Sequence, residues 1–156
     1  MQELPKPWFD LNGYKKTRLE EAEFEANIAE EFLKEGLLRN AAGKAFQAWK
    51  ALIAAMLTEK RDELLKKYPG KKRLSVEFVD WLIAIVPTSY MEELSLFLGK
   101  DINLVTKLAL AIHDYQYNGA DKETVLSPFR SDEIAKENIQ ILISEIRSRL
   151  EKMKKS

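Results

Sequence analysis

His113 is the only histidine of the chain, and it closes an apolar helical run within LALAIHDYQYNG, residues 108–119. An unperturbed imidazole titrates near pH 6.5, so a histidine in a polar setting can take up and return a proton at neutral pH. Asp114, Gln116 and Tyr117 follow at once and supply a carboxylate, an amide and a phenol that could hold a ligand. Lys107 stands six residues before His113. On a helix that spacing separates two side chains by about 120° in projection and roughly 9 Å along the axis. The two cannot touch, but they can flank one cleft, most readily if a second subunit supplies the opposite wall. In such a cleft His113 would serve as general acid or base, and Lys107 would stabilise developing phosphate charge. The plain alternative is a helix-end histidine hydrogen-bonded to a neighbour and favoured by the helix dipole.

A second candidate is KKYPGKKR, residues 66–73, where five of eight residues are basic. Lys71, Lys72 and Arg73 could grip phosphates, with Tyr68 available for stacking. Alternatively, Lys66 and Lys67 oppose a helix C-terminal dipole and the remainder is a solvated loop. Arg39, Lys44 and Lys50 sit among alanines, where pairing with a glutamate of the preceding helix is the simplest use. Trp49 and Trp81 read as core or interface residues.

Several chemistries are excluded or unsupported. The chain has no cysteine, so disulfides, thiolate nucleophiles and cysteine metal sites are absent. One histidine cannot build a multi-histidine zinc site within a subunit. The acidic residues show no metal spacing, and there is no glycine-rich phosphate loop or nucleophile elbow. No metal and no cofactor is expected. The 25 basic and 25 acidic residues cancel, which argues against coating nucleic acid by charge alone but leaves room for a local basic patch. No apolar run is long enough to span a bilayer, and the start, MQELPKPWFD, lacks an apolar signal region; a cytoplasmic protein is expected.

These candidates must be positioned by helices. Residues 1–12 read as an irregular arm, because Pro5 and Pro7 block early helix formation, with Trp8, Phe9 and Leu11 pinning it to the body. From about Tyr14, Leu19, Ala22, Ala26, Ala29 and Leu33 recur at helical spacing until Gly36 stops the run. A second helix is expected from about Asn40 to Lys66, with alanines that admit a close neighbour, ended by Pro69 and Gly70. Ser75 is placed as the cap of a short helix through Val86, which Pro87 terminates. SYME, residues 89–92, fits a capping box, and the helix it opens ends at Gly99. The helix from Asp101 carries Lys107 and His113 and stops at Asn118 and Gly119. After the loop ADKETVLSPFRS, Ala135, Ile139, Leu142, Ile146, Leu150 and Met153 form a last amphipathic stripe. The whole, 1–156, is expected to be a single all-α domain, an up-and-down bundle of about five to six helices.

Residues 34–56, KEGLLRNAAGKAFQAWKALIAAM, resemble the second helix of HEPN-type domains, especially small archaeal PaREP-type proteins. Residues 18–36 resemble the first helix of that hairpin, and residues 108–119 the late helix ending in a histidine, an aromatic pair and a glycine. The resemblance covers about two thirds of the chain. It implies a HEPN-like bundle that is usually a homodimer and binds RNA or nucleotide, with a small antitoxin-type protein as a further candidate partner. Active members of that superfamily carry an Arg, four to six residues, then a His, as a metal-independent ribonuclease motif at the dimer cleft. His113 matches the histidine. The arginine position holds Lys107, which lacks the planar bidentate grip on phosphate, and Leu108 replaces the polar residue that often follows. The implied function is RNA or nucleotide binding by a degenerate ribonuclease; a non-catalytic homodimeric or partner-binding helical module is the alternative.

Overall fold

The computed structural model describes residues 5–73 and 76–155, and of Arg73 only the backbone. Among the described residues the chain forms seven α-helices and one two-stranded hairpin. In order they are α1 (Leu11–Lys34), α2 (Leu38–Thr58), α3 (Arg61–Lys67), β1 (Lys71–Arg73), β2 (Val76–Glu77), α4 (Phe78–Ile85), α5 (Met91–Leu98), α6 (Lys100–Asn118) and α7 (Asp132–Lys155). A single 3-10 turn, Thr88–Tyr90, precedes α5.

Helix α2 is the centre. Thirteen apolar or glycine positions from Ala41 to Leu57 are buried, and α2 packs against α1, α4, α5, α6 and α7. Its last two turns, residues 51–57, are apolar on every side, and such a segment belongs inside, whereas the first half keeps a polar side at Asn40, Lys44 and Gln47. The alanines Ala22, Ala26 and Ala29 of α1 and Ala41, Ala45 and Ala48 of α2 are wholly buried, which lets the two long helices lie close as a hairpin. Gly36 turns the chain between them in the left-handed region (φ 78). There the Leu37 N–H donates to the Phe32 carbonyl (2.9 Å) and the Gly36 N–H to Leu33 (3.1 Å), which satisfies the last carbonyls of α1. Trp49 is fully buried and donates its indole N–H to Thr106 Oγ1 of α6 (2.9 Å), fixing α6 antiparallel along α2.

Five local expectations are corrected. Helix α1 begins at Leu11 because the Asp10 carboxylate accepts the Gly13 N–H (2.9 Å) and caps it. In the arm, Phe9 is 83% exposed and Trp8 is also exposed; Pro7 is the buried residue. The expected helix through Lys66 breaks at Glu59 and Lys60, whose N–H groups reach back only three residues, to Met56 and Leu57. The segment after Gly70 is a hairpin, with Lys71 opposite Glu77 and Arg73 opposite Val76, where helix or loop was expected; the Ser75 cap lies outside the described residues. At SYME the 3-10 turn that follows Pro87 takes in Ser89, so Tyr90 becomes the N-cap of α5 and no side chain caps it.

The apolar stretch FVDWLIAIVP is consumed mainly by the interior: Val79, Leu82, Ile83 and Val86 are buried. Tyr14 holds α4 to α1. Its hydroxyl donates to the Ile83 carbonyl (2.6 Å) and accepts from Arg18 Nε (2.8 Å). Burial pushes the phenol above its usual range, partly offset by the neighbouring Arg18. Tyr14→Phe leaves the buried Ile83 carbonyl and the half-buried Arg18 Nε–H without their partner, so a loss of about 1–2 kcal/mol in urea-unfolding stability is expected. Among the described residues no single helix is long and apolar enough to cross a membrane.

Candidate functional site

Helix α6 carries the histidine at the level where α2 presents Phe46. The His113 ring lies flat against Phe46, with centroids 4.0 Å apart and planes 18° apart, and edge-on to Tyr117 at 5.0 Å. His113 Nδ1 is 3.2 Å from Gln116 Oε1, so the Nδ1–H tautomer donates to that amide. The imidazole is half-buried, held by one hydrogen bond and two rings. Arg39, at the start of α2, is part of the same corner. It donates to the carbonyls of Gln116 (3.0 Å) and Tyr117 and so satisfies the end of α6. That is its partner, not a glutamate of α1; Lys44 does meet such a residue, Glu25, at 3.1 Å. Gly43 makes room for Gln116, since a Cβ there would stand 2.7 Å from its amide nitrogen. A groove of about 590 Å³ opens here, lined by Arg39, Asn40, Lys44, Gln47 and Gln116.

The five residues expected around one cleft divide between two faces of α6. Gln116 lines the groove against α2, and His113 reaches it only through Gln116. Lys107 and Asp114 line a different groove, of about 410 Å³, between α6 and the loop that leads to α7. The cause is helical geometry. Residues seven apart share a face, whereas residue 113 is turned about 100° from residue 114. Lys107 is also engaged, in an exposed ion pair with Glu92 of α5. Within one chain the lysine and the histidine do not share a cleft.

The lysine-rich segment builds the second candidate. Tyr68, at the end of α3, and Phe78, Trp81 and Tyr90 form one half-buried aromatic cluster, with Phe78 and Trp81 stacked at 5.8 Å. Phe78 and Trp81 are three apart on α4 and therefore share a face. Lys72 Nζ lies 4.3 Å from the Trp81 ring centroid and 5.6 Å from that of Phe78. Lys67 Nζ lies 5.6 Å from the Tyr68 ring and 5.8 Å from Phe97. Lys66, Lys67, Lys71 and Lys72 are exposed, while the Arg73 side chain lies outside the described residues. The Tyr68 hydroxyl donates to the Glu93 carboxylate, and burial together with that bond holds the phenol above the usual tyrosine range. The scaffold is fixed by Arg61, whose guanidinium makes a two-pronged ion pair with the buried Asp80 (2.7 and 3.0 Å). Sequence reading had Tyr68 as a stacking residue but missed Phe78 and Tyr90. The signal for Phe78 was its i, i+3 spacing to Trp81, visible only once the helix start is known.

No group of three or more metal-ligating side chains comes together among the described residues. The fold is that of a helical protein with a long α1–α2 hairpin at its core and a lysine–aromatic surface at one end. Residues 17–140 match the archaeal PaREP1/PaREP8 family, and the chain belongs to that family. No curated protein and no solved structure matches it significantly.

Proposed function

We propose that this PaREP1/PaREP8-family protein is a HEPN-like, homodimeric protein that binds single-stranded RNA through the face formed by α3, the hairpin and α4. The observation that carries the reading is the placement of the Lys67 and Lys72 ammonium groups over aromatic rings at the edge of a four-ring cluster. Single-stranded RNA is held by cations along its backbone and by flat rings on which bases stack, with little dependence on base identity. Both elements are present on one surface. A base that stacks on Trp81 takes the position of the Lys72 ammonium, which is then free to meet a phosphate. The zero net charge of the chain makes such binding local, confined to this face.

The reading is binding without cleavage. Metal-independent scission of RNA needs an acid–base group and a cation at one phosphate. His113 is stacked on Phe46 and bonded to Gln116, and Lys107 opens onto the other groove. Labelled single-stranded RNA incubated with the protein in the presence of a chelator is expected to stay intact over hours. Chelator-resistant cleavage that is lost in His113→Ala would overturn this and return His113 to catalysis.

A further inference from the structure

Along α6, Leu104, Lys107, Ala111, Asp114 and Asn118 recur at alternating spacings of three and four and form one outward stripe. Leu104 is 54% exposed, and Lys107 and Asp114 are exposed as well. Beside the stripe runs the loop between α6 and α7, with Val125 80% and Leu126 62% exposed. This loop is tightly built. The Asp121 carboxylate accepts the N–H groups of Glu123 (3.0 Å), Val125 (2.9 Å) and Leu126 (2.7 Å), and the Asn118 amide donates to the Leu126 carbonyl (3.0 Å). Thr124 is held in the left-handed region (φ 54), a conformation that a β-branched residue adopts only under constraint. An ordered loop that presents two aliphatic side chains to water is a preformed contact surface: little ordering remains to be done when something covers it.

The charges of the face indicate what covers it. Lys107 and Asp114 are about 10.5 Å apart along the axis, with Leu110 and Ala111 midway between them. A two-fold axis beside that midpoint sets residue 107 of each copy opposite residue 114 of the other. The stripe is thus its own electrostatic complement, as an isologous interface requires. We infer that two copies of the chain meet at this face, antiparallel through α6. Lys107 of each stands against Asp114 of the other, and Val125 and Leu126 close the rim. The Asp114 carboxylate has no ion pair among the described residues. Lys107 has three donors, so it can keep Glu92 and accept a second carboxylate. The inference rests on the dimeric part of the reading above and is independent of RNA binding.

Sedimentation velocity over a range of concentrations tests it, with the wild-type chain, Asp114→Lys, Lys107→Asp and the double swap. The wild type is expected to be dimeric at micromolar concentration. Each single variant sets like charges together twice per dimer and is expected to weaken association about a hundredfold. The double swap restores opposite pairs and is expected to regain wild-type association. Val125→Asp, which leaves α6 untouched, is expected to dissociate the dimer too. A wild-type monomer overturns the dimeric reading and this interface together. A wild-type dimer that is unmoved by both single variants, or a double swap no better than either, overturns the α6 interface alone.

Discussion

Arg61→Ala is expected to lower folding stability by about 3 kcal/mol, seen as a shift of the urea midpoint without a change in slope. The Asp80 carboxylate is only 2% exposed as a residue, and both its oxygens are taken by Arg61. Removing the guanidinium leaves a buried charge with nothing to replace its solvation. Arg61 itself is about a quarter exposed, which places the loss at the lower end for buried pairs. Arg61→Lys keeps the charge but not the fork, so it is expected to recover only part of the loss. The contrast is Lys107→Ala. It removes an ion pair that is about half exposed at both ends, and less than about 1 kcal/mol is expected. If Arg61→Ala were as mild as Lys107→Ala, the pair would not be what anchors α4, and the lysine–aromatic face would lack its support.

Lys67→Glu combined with Lys72→Glu is expected to weaken binding of single-stranded RNA about a hundredfold or more, since two phosphate contacts become repulsions. Trp81→Leu, which keeps an apolar side chain and loses the flat ring, is expected to weaken binding by about 1–3 kcal/mol, the worth of one stacked base. The two lysines lie at the surface and Trp81 is half-buried, so the far-ultraviolet spectrum should be unaltered in the lysine variant and is to be checked for Trp81→Leu. Lys136→Glu on α7 changes the net charge without touching the face, and it should leave binding within about twofold at physiological salt, where distant charges are screened. If Lys136→Glu weakened binding as much as the paired change, the interaction would be one of overall charge and the face would have no special role.

Much of the bundle is legible in the residues because it rests on long periodic runs. Ala22, Ala26, Ala29 and Leu33 specify the inner face of α1, and the helically spaced Ala41, Ala45, Ala48, Trp49, Leu52 and Ile53 mark the inner face of α2. Gly36, Gly99 and Gly119 mark helix ends in positive-φ conformations that other residues rarely adopt. What escaped was short or tertiary. The break after Thr58 carries no proline or glycine, and a hairpin with strands of three and two residues is too brief for a period to register. SYME has the letters of a capping box, but Pro87 had already committed Ser89 to a 3-10 turn. At the candidate sites, Lys107 and His113 were recognisable as chemistry-bearing residues. Their angular separation follows from the six-residue spacing on one helix; what the spacing does not report is that α2 borders the side of Gln116 and the loop before α7 borders the side of Lys107 and Asp114. Lys71 and Lys72 were legible as a basic run. The rings beneath them come from α3, α4 and the turn before α5, brought together only by folding.

The most direct measurement is the affinity of the wild-type chain for a labelled single-stranded RNA as the salt concentration rises. Four exposed lysines, Lys66, Lys67, Lys71 and Lys72, flank the rings. At about −0.7 in log K per log salt for each phosphate neutralised on a single strand, a slope of about −3 is expected. It should fall to about half that in the variant carrying Lys67→Glu and Lys72→Glu. Absence of binding at low salt, or an affinity indifferent to salt, would contradict the account.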